Sequence, residues 1–96
     1  MAYKARPGFV LLNICDAHLL VATRPLWAEF PRIRPLPNAW AVCWTLMEKG
    51  NTDQDVINMF MRLFNAPEAA MHKRFDPIFS GLAEEGYLIP VEEDAP

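Results

Sequence analysis

Ninety-six residues, 52% of them hydrophobic and 22% charged, suit one domain with one core and exclude a disordered or two-domain chain. The net charge of −3 splits unevenly: residues 1–34 carry five basic and two acidic side chains (+3), residues 35–96 four basic and ten acidic ones (−6). That balance argues against nonspecific nucleic-acid binding, whose affinity comes mainly from neutralised phosphates.

Residues 1–7 form a polar N-terminal segment, and the apolar run at 9–12 is too short for the core of a secretory signal. No stretch approaches a membrane span, so a cytoplasmic protein with no membrane partner is expected. Phe9 to Cys15 (FVLLNIC) and His18 to Thr23 (HLLVAT) read as two strands of an antiparallel hairpin turning at Asp16-Ala17. Val10, Leu12 and Ile14 share one face of the first strand, Phe9 and Leu11 the other. Both faces are apolar. That fits a sheet covered by helices on one side and a second chain on the other, or an incompletely buried strand. Arg24 to Glu29 is a loop carrying Trp27, which is either tucked under its own backbone or offered, with Phe30, as a contact to a partner chain.

Phe30 to Leu36 reads as the third strand, with prolines at 31 and 35. It feeds an amphipathic run with Asn38 as N-cap and Gly50 as the stop. Trp40, Cys43, Trp44 and Met47 fall on one face, with Ala39, Val42 and Leu46 beside it, so this is the central helix. Thr52 with Asp55 opens a second helix in the manner of a capping box, its buried face being Val56, Ile57, Phe60, Leu63 and Phe64. Pro67 suits the first position of a third helix, whose stripe is Met71, Phe75, Ile78, Phe79 and Leu82 and whose end is Gly86. Pro77 predicts a kink or break there, since it removes an N–H and crowds the Lys73 carbonyl. Tyr87 to Ile89 returns to the core, and 91–96 is an acidic tail. The expected fold is α+β: an N-terminal three-stranded antiparallel sheet followed by three α-helices.

Chemistry-bearing constellations are sparse. Ser80, the only serine, has no histidine at a suggestive spacing, and the four glycines form no phosphate-cradling loop. Cys15-x-x-His18 is half a zinc site, but the other nitrogen or sulfur donors are the distant Cys43 and His72, and structural zinc wants four close ligands. Cys15 and Cys43 could pair, yet Cys43 sits in a buried helical pattern, and free thiols in a reducing compartment are the simpler reading. His72, Lys73 and Arg74 read as a solvated basic cluster. No catalytic residue, metal or cofactor is expected.

The order of elements, with a Gly-Phe-Val-Leu opening strand, Asn38 and Gly50 bounding a helix, a Thr-led second helix, the Phe64-to-Pro67 link and the Leu82, Gly86, Leu88 close, resembles the PqqD-like family. These precursor-peptide recognition elements serve the biosynthesis of ribosomally made, modified peptides. The resemblance spans roughly 8–88 and sets the expected recognition domain at 8–90. It implies a winged-helix-like domain without chemistry of its own. Such a domain binds a precursor's leader as an added strand between the third strand and third helix, and presents it to a modifying enzyme, often a radical S-adenosylmethionine enzyme. The expected contacts are Arg32, Ile33, Arg34, Leu36, Met71, Arg74, Phe75 and Ile78. Three features depart from the family pattern: Leu36-Pro37-Asn38 in place of Leu-Asn, the prolines flanking the third strand, and Pro77.

Backbone groups of alternate residues share a strand edge. Pro31 and Pro35 leave Ile33 as the only donor on the odd edge, while Arg32, Arg34 and Leu36 keep the even edge complete. A peptide is therefore expected on the even edge if that edge faces outward; if it pairs inward, the prolines blunt the outer one. The competing readings are a DNA-binding winged helix and an oligomeric interaction module, the latter favoured by the two-faced hairpin and Trp27.

Overall fold

The computed structural model describes residues 2–30 and 32–91. The expected strand residue Pro31 and the tail beyond Val91 lie outside the described residues. The architecture is α+β. Strands β1 (Tyr3–Ala5), β2 (Phe9–Ile14), β3 (Ala17–Ala22) and β4 (Ile33–Leu36) precede helices α1 (Asn38–Glu48), α2 (Asp53–Phe64) and α3 (Glu68–Glu84), and β5 (Leu88–Pro90) closes the order. An antiparallel sheet runs β2-β3-β4, and β1 pairs antiparallel with β5 in a separate two-stranded sheet. The N-terminal segment is thus partly a strand, and its partner, Leu88–Pro90, lies one residue beyond the return expected at 87–89. The Tyr3 N–H also donates to Asp53 Oδ1 at 2.9 Å, tying β1 to the start of α2.

The hairpin turns one residue earlier than expected. Ile14 pairs with Ala17, so Cys15 and Asp16 form the turn, and Cys15 takes φ 55, a left-handed value uncommon outside glycine. The third strand is shorter than expected, beginning at Ile33. A turn of 3-10 helix at Arg24–Leu26, followed by a bond from the Phe30 N–H to the Leu26 carbonyl at 2.9 Å, swings Phe30 off the strand line. Its ring packs edge-on to Phe9 at 5.0 Å and tilted to Tyr87 at 5.6 Å. Phe30 is therefore held in an aromatic cluster, whereas Trp27 is 48% exposed.

Pro37, not Asn38, occupies the N-cap of α1. Asn38 is its first helical residue, and its side chain faces His18 instead of its own helix. The expected capping box at α2 is present: Asp55 N–H donates to Thr52 Oγ1 and Thr52 N–H to Asp55 Oδ2. Pro67 is the N-cap of α3, one position earlier than expected, and the helix continues through Pro77 without a break. Gly86, at φ 89, follows its end. The Tyr87 N–H then reaches the Leu82 carbonyl and the Gly86 N–H the Ala83 carbonyl, the paired bonds of a Schellman close.

The core joins Phe9, Leu20, Ala22 and Leu36 from the sheet to Cys43, Trp44 and Met47 of α1, Val56, Ile57 and Phe60 of α2, and the whole α3 stripe. Leu63 and Phe64 do not join it. They stand 72% and 57% exposed where α2 ends and Asn65, in the left-handed region, turns the chain toward α3. Among the described residues, no helix is long and apolar enough to cross a membrane.

One face of the β2-β3-β4 sheet packs on this core; the other is solvent-facing and apolar throughout. Its rows across the strands are Val10, Val21, Ile33 and Leu12, Leu19, Pro35, with Ile14 and Ala17 beside the turn.

Candidate functional site

Which backbone groups the sheet leaves open follows from the hairpin. A two-residue turn makes the closing pair, Ile14 and Ala17, a hydrogen-bonded one, and such pairs recur at every second residue. The bond from the Thr23 N–H to the Gly8 carbonyl at 2.7 Å falls on the same alternation. Even-numbered residues of β2 therefore bond to β3, and those of β3 bond to β4 through Leu20 with Arg34 and His18 with Leu36. The even edge of β4 is turned inward. Its outer edge offers only Ile33 and the Pro35 carbonyl, and the Arg34 Nη1 already donates to that carbonyl. Pro35 explains the choice: its missing N–H costs nothing on an outer edge and would cost a ladder bond on an inner one.

The strand-and-helix groove expected beside β4 is closed as well. Arg34 reaches from β4 to Glu85 beyond the end of α3, Nε to Oε1 at 2.8 Å and Nη2 to Oε2 at 3.1 Å, while its guanidinium lies over the Trp40 ring at 5.3 Å. The Glu85 hydrogen bonds raise the Arg34 pKa above its usual value, against partial burial. A hollow of about 350 Å³ remains between Phe30, Arg32, Ile33, Arg34, Glu85 and Tyr87. Arg32 and Ile33 are exposed beside it. Met71, Phe75 and Ile78 are not: they are 6–7% exposed, and Phe75 stacks on Phe60 of α2 at 4.5 Å. Leu36 is also core. Arg74 is exposed and lies over the Phe75 ring at 5.9 Å. The expected contacts are thus split between a charged hollow and the interior.

The opposite edge is open. The N–H and C=O groups of Phe9, Leu11 and Asn13 point away from β3, and among the described residues no other backbone or side-chain group bonds to them. β2 contains no proline. Beneath this edge, a groove of about 450 Å³ runs between the sheet and α1, mainly apolar, with Leu11, Ala41, Val42 and Leu46 in its walls. Val42, expected beside a buried face, is 49% exposed because it lines this groove. At the turn end the groove is polar. The His18 ring nitrogens lie 2.6 Å from Asn13 Oδ1 and 2.9 Å from Asn38 Oδ1, which fixes the imidazole between strand and helix. His18 is thereby engaged in an asparagine bridge, while Cys15 is exposed in the turn. The sequence signal for this groove was the pairing of a proline-free apolar strand with a helix too apolar for its polar stripe.

No match to this chain is found among models of known protein families, curated proteins or solved structures.

Proposed function

We propose that the chain is a non-catalytic, winged-helix-like peptide-binding domain of PqqD-like character. It takes the extended leader of a ribosomally made precursor as an added strand and presents it to a modifying enzyme, such as a radical S-adenosylmethionine enzyme, in the cytoplasm. The observation that carries this reading is the open β2 edge, three consecutive outward donor and acceptor pairs beside an apolar groove. The docking edge in this proposal is β2, not β4.

The energetics ask for both parts. About four added hydrogen bonds at roughly 0.5–1.5 kcal/mol each leave a peptide short of the about 8 kcal/mol that micromolar binding needs. Burying one or two leucine-sized side chains, at about 1.5–3 kcal/mol each, supplies the difference. Side chains of the added strand opposite Leu11 and Asn13 would drop toward α1, since paired residues share a face. The peptide chemistry favoured is an apolar residue over Leu11 and Val42 and a polar one near His18 and Asn38.

A duplex-binding reading has less support. His72 on α3 is flanked by Glu68 and Asp76 at hydrogen-bond distance, and Arg62, Lys73 and Arg74 are the remaining cations of α2 and α3. The test is selection from a displayed library of short linear peptides, followed by titration of the selected peptide against the wild type and Val42→Asp. Val42→Asp should weaken binding at least about tenfold. Unchanged binding by that variant, or selection of no peptide at all, would count against the reading.

A further inference from the structure

We propose that two copies of this chain associate through the outer face of the β2-β3-β4 sheet, on the side opposite the groove. An antiparallel sheet with one face in water normally alternates apolar inward and polar outward. Here both full rows across the three strands, Val10, Val21, Ile33 and Leu12, Leu19, Pro35, are apolar on the outward side. Val10, Leu12 and Ile33 stand 43%, 41% and 57% exposed.

The occupant is a second copy, because the charges at the two ends of the face complement each other under a two-fold. Between those ends the face carries no charge and no side-chain hydrogen-bonding group, so nothing on it selects a foreign partner, and a copy supplies the same flat apolar surface. Two such sheets stack about 10 Å apart with strands within about 30° of each other, the packing of sandwich cores. The flanking charges set the orientation. Asp16 is exposed at the turn end, and Arg24 is exposed at the other end. Neither has an ion-pair partner among the described residues. A two-fold axis lying between the faces and across the strands brings each acidic end over a basic one; an axis along the strands would set like over like.

Three strands about 4.8 Å apart and up to six residues long make a face roughly 15 by 20 Å. That is below the about 800 Å² per partner of a standard interface, so the dimer is weak and reversible, with a dissociation constant on the order of tens of micromolar. Both β2 edges stay open in it, so dimerisation and peptide docking are independent.

The experiment is sedimentation of the full chain over a concentration series, with Leu12→Lys, Ile33→Lys and Val42→Lys alongside and amide shifts of the wild type followed on dilution. The wild type should pass from monomer to dimer, with shifts concentrated on Val10, Leu12, Leu19, Val21 and Ile33. Leu12→Lys and Ile33→Lys should each raise the dissociation constant about tenfold or more, and Val42→Lys should leave it unchanged. Dilution shifts on the wild type decide the matter if either sheet variant unfolds. A wild type monomeric at several hundred micromolar overturns the proposal. So does a dimer whose shifts fall on Phe9, Leu11 and Asn13, which would be edge pairing, or one that only Val42→Lys dissolves. A dimer that binds no peptide would leave this inference standing and remove the functional one.

Discussion

Arg34 and Glu85 meet fork to fork, at 2.8 and 3.1 Å, across the gap between β4 and the end of α3. The pair closes the side of the domain on which a strand was expected to add. It is itself partly exposed, so it contributes less than about 1 kcal/mol to folding. Glu85→Gln should lower stability by no more than that in a denaturant titration and should leave peptide affinity unchanged. Tighter peptide binding in this variant, as if a groove had been unlatched, would return the docking site to β4.

His72 provides a pH test. Its Nδ1 lies 2.9 Å from Asp76 Oδ1 and its Nε2 3.2 Å from Glu68 Oε2, and the bonds to Asp76 and then Glu68 raise its pKa above the usual histidine value. A raised folded-state pKa gives stability that is complete below the unfolded value near 6.5 and fades as pH rises through the folded one. The melting temperature of wild type should therefore exceed that of His72→Gln by more at about pH 5.5 than at about pH 8. An equal gap at both would show that the charge is not involved.

The two thiols should separate cleanly. Cys43 is fully buried in α1 and burial pushes its pKa up to about 12, while Cys15 is exposed in the hairpin turn. A thiol-reactive dye should modify one cysteine per native chain, lost in Cys15→Ala, and a second only in denaturant. Rapid modification of both in the native state would contradict the burial of Cys43.

One close contact and one helix cap can be tested by substitution. A Cβ at Gly81 would lie 2.7 Å from Trp40 Cη2, so Gly81→Val makes the Trp40 ring shift from its place beneath Arg34 and should cost about 1–3 kcal/mol. Thr52→Ala removes the side-chain acceptor of the α2 capping box and should cost about 0.5–2 kcal/mol. Thermal or denaturant melts measure both, and a neutral Gly81→Val would mean that Trp40 moves aside freely.

The helices were legible because periodicity and caps are local: the Thr52–Asp55 box, the α3 stripe and the Gly86 close stand where the residues put them. The pairing of Tyr3–Ala5 with Leu88–Pro90 was not, since it joins the chain's two ends and neither segment carries a periodic signal. The groove differs from expectation for a related reason. Periodicity shows that Phe75 and Ile78 face something apolar, but not that Phe60 and its neighbours already cover them. The strand edge turned on one residue. A turn at Asp16-Ala17 would have bonded odd residues of β3 to β4 and left the even edge outward. Moving it to Cys15-Asp16 reverses every assignment, because backbone polarity alternates with period two. Pro35 was the visible clue to that outcome, since only one parity spares a ladder bond.

The most direct test of the docking edge is amide hydrogen exchange on the labelled full chain, with and without a library-selected peptide. Slowed exchange at Phe9, Leu11 and Asn13, with β4 unchanged, is the predicted result. Protection at Ile33 with the β2 amides unaffected would contradict it.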